Sequence, residues 1–128
     1  MALKKHPYLL ALMLLAGALL ASCSAPKIVE QDYDRVTLFK ITADNKHEKI
    51  ATLTDKKKIK ELTDLINEGN RKNAREIEFE KGPDGMLLFE KNEKKLALGL
   101  FIDTGNVLTE EYYINSSIDI NKYFGTKQ

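Results

Sequence analysis

A chain of 128 residues with 20 basic and 19 acidic side chains has room for one domain of nearly balanced charge. With Arg35, Arg71 and Arg75 its only arginines, it lacks the net positive, one-sided basic surface that nucleic-acid binding requires. A single cysteine, Cys23, excludes an internal disulfide, and two histidines are too few for an ordinary zinc site.

The chain begins with a basic patch, Lys4-Lys5-His6, followed by an unbroken apolar or small run from Tyr8 to Ala21. This is the plan of a secretory signal, and the run is short of the roughly 20 apolar residues that cross a bilayer. It ends in Leu20-Ala21-Ser22-Cys23, which resembles the lipobox of bacterial lipoproteins. The resemblance implies that residues 1–22 are a signal peptide and that Cys23 becomes the first mature residue, its thiol carrying a diacylglyceryl group. Acyl chains such as palmitate contribute about 0.8 kcal/mol per buried methylene, so the membrane is the expected partner. Lipidation also accounts for the unpaired thiol of an exported chain. Ser24 is not aspartate, which in a two-membrane envelope implies sorting to the outer membrane; the residues themselves leave inner against outer open. Loss of Lys4 and Lys5 with the leader takes 20 basic residues to 18 against 19 acidic, a formal balance of −1.

Residues 23–34 mix proline with charge and read as a tether, with docking of Ile28, Val29 and Tyr33 on the domain as the alternative. A single domain is expected over 35–128. Val36–Ile41 and Lys49–Thr54 form a hairpin, and Asp55 caps a helix whose Ile59, Leu62, Leu65 and Ile66 share one face up to Gly69. Glu76–Glu80 alternates strictly and is expected to be a strand that hairpins through Gly82-Pro83-Asp84-Gly85 into Met86–Glu90. Strands over Leu96–Ile102 and Val107–Ile114 complete a meander, and a short helical turn, Asp119–Phe124, closes on Gly125. The fold class is α+β, an antiparallel meander sheet with one main helix packed on it. The stretch Ile50-Ala51-Thr52-Leu53-Thr54-Asp55-Lys56-Lys57-Lys58-Ile59-Lys60-Glu61-Leu62, a strand entering a capped helix, resembles small lipoproteins of the YhfM-like kind. That resemblance implies a fold and no activity or cofactor.

Nucleophilic catalysis would have to combine His47 with Ser24, Ser116 or Ser117, none of them in a glycine-flanked elbow. Asp103, Asn106, Glu110 and Glu111 lack the spacing of a calcium loop, and turn chemistry explains the first two. Glu76, Glu78 and Glu80, with Glu90 alongside, read as a solvated stripe, not as carboxylates facing across a cleft. No glycine-rich phosphate loop occurs. Three lysines at a helix N-terminus, Lys56, Lys57 and Lys58, are candidates for an anionic ligand, and Tyr112 and Tyr113, on opposite faces of one strand, for a partner contact. The expectation is a lipid-anchored, non-catalytic binding or envelope-associated module without metal or cofactor. Its rivals are an inhibitor or accessory subunit of an envelope protein, and a small hydrolase or metal-dependent enzyme.

Overall fold

The computed structural model describes residues 26–30 and 32–125. The leader, Cys23 and Ser24 lie outside the described residues. Seven antiparallel strands form one sheet: β1 (Arg35–Ile41), β2 (His47–Leu53), β3 (Asn70–Asn73), β4 (Gly85–Lys91), β5 (Lys94–Phe101), β6 (Asn106–Leu108) and β7 (Tyr112–Asn115), in the spatial order β2-β1-β4-β5-β6-β7-β3. The main helix α1 (Lys56–Glu68) and a short helix α2 (Ile120–Phe124) complete an α+β fold.

Helix α1 starts where its sequence supplies an acceptor: the Asp55 carboxylate takes the amides of Lys57 and Lys58 at 2.9 and 3.3 Å. Ile59, Leu62 and Ile66 are buried on the inner face of the sheet, where Val36, Leu38, Leu87, Phe89, Leu98, Leu100, Val107 and Ile114 meet them. Period-two alternation in the strands and three-four spacing in the helix thus converge on one core. From α2, Ile120, Tyr123 and Phe124 join it.

Three expectations are corrected. Residues 76–80 are not a strand: Ala74–Glu76 is a 3-10 turn, and Ile77 to Phe79 run without ladder bonds. The alternation there is real but serves a different contact, since Phe79 packs against Phe101 and Tyr113 on the outer face of the sheet, centroids 5.7 and 5.6 Å away. With no strand before it, Gly82-Pro83-Asp84-Gly85 is no hairpin turn; Asp84 pins the start of β4 by accepting the amides of Ile41 (through its backbone oxygen) and Ile102 (through Oδ1), each at 2.8 Å. The strand at this stage of the chain is the polar β3, which α1 carries across the inner face to pair with β7. An exposed edge strand tolerates Asn-Arg-Lys-Asn because only its backbone needs a partner. Gly69 allows the immediate change from helix to strand, since a Cβ there would lie 2.7 Å from Ile114 Cγ2.

The expected single strand Val107–Ile114 is two strands. Thr109 Oγ1 accepts the amides of Glu111 and Tyr112, and the Thr109 amide donates to Tyr112 O at 2.8 Å. The threonine hydroxyl makes this turn without glycine or proline.

The chain joins the core before β1. Val29 is fully buried, and Asn67 near the end of α1 holds it in place. Asn67 Oδ1 accepts the Ile28 and Val29 amides at 2.9 Å each, and Nδ2 donates to Val29 O at 2.8 Å. Tyr33 packs its ring edge against Phe89, 5.6 Å between centroids.

Candidate functional site: two clefts flanking the N-terminal segment

The N-terminal segment lies along α1 and leaves a cleft at each end. The first, about 240 Å³, is lined by Asp32, Tyr33, Asp34, Lys56, Ile59, Lys60, Thr63 and Lys91. Lysines from the first helical turn, the second turn and the end of β4 therefore meet two carboxylates from the incoming chain. Thr63, only 3% exposed, is a buried hydroxyl among the aliphatic residues of the helix face. Lys60 is also tied to Asp64 at 2.8 Å, and that hydrogen bond, with the attraction of the carboxylate, raises its pKa above 10.5.

The second cleft, about 430 Å³, lies between Pro26, Lys27 and Ile28 on one side, Leu96 to Leu98 below, and the turn Thr109 to Tyr112 on the other. Tyr112 is held there by Arg71, whose guanidinium carbon sits 5.4 Å from the ring centroid. Arg71 Nη2 donates to Asn67 O at 3.2 Å, while Nη1 is buried without a hydrogen-bond partner among the described residues.

The candidate residues are thus distributed over three places. Lys56 enters the first cleft, whereas Lys57 and Lys58 are exposed and their amides are already taken by Asp55. Tyr112 borders the second cleft. Tyr113 lies on the outer face, ringed by Phe79 and Phe101, its hydroxyl accepting from Asn106 Nδ2 at 2.9 Å. His47 stands exposed at the head of β2, its ring edge toward Phe39 at 6.4 Å. Ser116 is buried and donates to Gly105 O at 2.8 Å, and Ser117 is exposed, its amide donating to Asn106 Oδ1. Among the described residues no three His, Cys, Asp or Glu side chains gather as a metal site would need. Asp103 Oδ1 accepts the Thr104 amide and Thr104 Oγ1 that of Asn106, as local turn chemistry provides.

No family model, curated protein or solved structure matches this chain.

Reasoning from sequence missed Lys60, Lys91, Asp32 and Asp34 as cleft residues. The sheet register and the docked segment bring them together from distant stretches of chain. Thr63 did leave a signal, a lone hydroxyl on the apolar stripe Ile59-Leu62-Ile66.

Proposed function

We propose that this chain is the precursor of a bacterial lipoprotein, anchored through lipid on Cys23 at the outer face of a membrane, with a non-catalytic binding module as its folded part. The observation that carries the proposal is the lipobox Leu20-Ala21-Ser22-Cys23 lying just ahead of a docked segment. Pro26 is three residues beyond Cys23, and three residues span at most about 11 Å however they are arranged. The anchored domain therefore stands directly on the bilayer. The lysine-lined cleft is the binding site this module offers, suited to a compact ligand with an anionic group for Lys56 and Lys91 and a donor for Asp32 or Asp34. A non-catalytic role is supported by the positions of His47, exposed beside Phe39, and of the Ser116 hydroxyl, bonded to Gly105.

The accessory-subunit alternative calls for a broad apolar surface on the sheet. Among the described residues Ile50, 40% exposed, is the one large apolar side chain that stands well out into solvent, so the observations favour the cleft.

The test is metabolic labelling with a palmitate analogue, read with the size of the product. The parent chain should take up label and run as a species shorter by the 22-residue leader, whereas Cys23→Ala should remain unlabelled and full length. A Cys23→Ala chain that is still shortened and still sediments with membranes would refute the anchor.

A further inference from the structure

The lysine-lined cleft carries charges of both signs that leave one another unpaired. Lys56, Ile59, Lys60 and Thr63 follow at spacings of three and four along α1 and form one wall with Lys91 of β4. Asp32, Tyr33 and Asp34 of the N-terminal segment form the other. Asp32 stands there with a left-handed backbone, φ +83°, which few residues other than glycine adopt. Lys60 is bound to Asp64 at 2.8 Å, but Lys56, Lys91, Asp32 and Asp34 form no ion pair among the described residues. Two positive and two negative charges are left over, and they balance. Thr63 adds a neutral contact. Its hydroxyl makes no hydrogen bond among the described residues, yet the one side-chain polar atom sealed off there without a partner is Arg71 Nη1. The Thr63 oxygen therefore keeps an opening to solvent, and with the residue only 3% exposed that opening is the cleft.

We propose that the ligand of this cleft is a small zwitterion without net charge, clamped between the N-terminal segment and α1. The proposal rests on the cleft being the module's binding site, and adds the class of ligand and its effect on the segment. A simple anion would suit Lys56 and Lys91 but be repelled by Asp32 and Asp34, and a simple cation would meet the reverse. An ammonium and an anionic group on one short carbon frame match both walls. The ammonium donates to the aspartates, the anion accepts from the lysines, and the Thr63 hydroxyl takes a third polar contact. The cleft, about 240 Å³, is smaller than the roughly 300–1,000 Å³ of sites for drug-sized molecules, so the frame is a few carbons long. A free amino acid and the phosphoethanolamine headgroup of a membrane lipid share this chemistry. Because the two walls belong to different parts of the chain, a bound ligand holds the segment on α1, as Asn67 does.

The experiment titrates the full chain, in a non-ionic detergent, by calorimetry. The probes are the common α-amino acids singly, O-phosphoethanolamine, and two half-ligands, acetate and ethylammonium. At least one zwitterion should bind saturably, about tenfold or more tighter than either half-ligand. Binding of an amino acid but not of O-phosphoethanolamine makes the source a free solute. The reverse, with O-phosphocholine inert because its quaternary nitrogen cannot donate, makes it a lipid headgroup. Lys56→Gln/Lys91→Gln and Asp32→Asn/Asp34→Asn should each weaken the zwitterion about tenfold or more with urea unfolding unchanged. The first pair should leave ethylammonium, and the second acetate, binding no worse than before. Thr63→Val should cost about tenfold and Thr63→Ser restore it. Saturating ligand should slow hydrogen exchange at the Ile28 and Val29 amides, and Asn67→Ala should weaken binding. Acetate binding as tightly as any zwitterion would overturn the proposal and leave an anion site, whereas binding by none of the probes would end the site as well. Zwitterion binding indifferent to both paired substitutions, or without effect on that exchange, would overturn the clamp. None of these readouts depends on lipid at Cys23.

Discussion

The contact between Asn67 and the N-terminal segment lends itself to a quantitative test. Asn67→Ala removes three hydrogen bonds, two from the amides of Ile28 and Val29 and one to Val29 O, all partly buried. At about 0.5–1.5 kcal/mol net for each, and taking the lower half because water can reach the vacated groups, the loss is about 1.5–3 kcal/mol. For a domain of this size that lowers Tm by roughly 6–24 °C. Val29→Ala acts on the same contact from the apolar side, since Val29 is fully buried, and costs about 1.5–3 kcal/mol. The two should not add. Once the segment has come off α1, the second substitution has nothing left to remove, so the double variant should be little worse than the worse single one. Urea unfolding supplies the free energies, and hydrogen exchange at the Ile28 and Val29 amides reports release of the segment. A change below about 0.5 kcal/mol with unaltered exchange, or full additivity in the cycle, would refute a cooperative docking unit held by Asn67.

The glycines offer a paired comparison. Gly105 has φ +74° and a Cβ there would overlap the backbone of Ile118, whereas Gly125 has φ +62° with open space around it. Gly125→Ala should cost about 1 kcal/mol of left-handed strain and Gly105→Ala more than about 3, measured by chemical denaturation; equal costs would contradict the packing at Ile118. Asp55→Ala removes the acceptor for the Lys57 and Lys58 amides and should cost about 1 kcal/mol, more at low salt because Lys56, Lys57 and Lys58 oppose the helix dipole. Lys60 has its pKa raised by Asp64, so the stabilisation from that pair is complete below the unfolded value near 10.5 and is lost as pH rises through the folded one. A melting series from pH 9 to 12 should show a small extra loss in the parent relative to Lys60→Gln, and identical profiles would contradict it.

The class of fold and its main helix were legible because each rested on a local rule. Asp55 caps, the Ile59 stripe has helical spacing, and Leu96 to Ile102 alternates, so neighbouring residues carry the whole message. The errors fell where the decisive partner is distant. Nothing in Asn70–Asn73 speaks for a strand until β7 is beside it, and Ile77 and Phe79 alternate for an aromatic contact with Phe101 and Tyr113 that a ladder would also have explained. The turn at Thr109 was hidden because a hydroxyl performs the work usually read from glycine. The lysine cleft was legible only in Lys56, since Lys91 and Asp32 reach it through the register of β4 and the docking of the N-terminal segment.

The placement of β3 beside β7 bears on how the chain finds its structure. The β1–β2 hairpin and the β4–β7 meander each close over a short stretch and can form early from local contacts. Asn70 pairs with Asn115, and Arg35 with Glu90, so joining the halves and finishing the far edge each require a much longer loop to close. Helix α1, spanning between those edges, makes both closures part of one event. The slow step in refolding should then be assembly of two preformed halves, with the amides of β3, and those of β7 that face it, the last to gain protection from exchange.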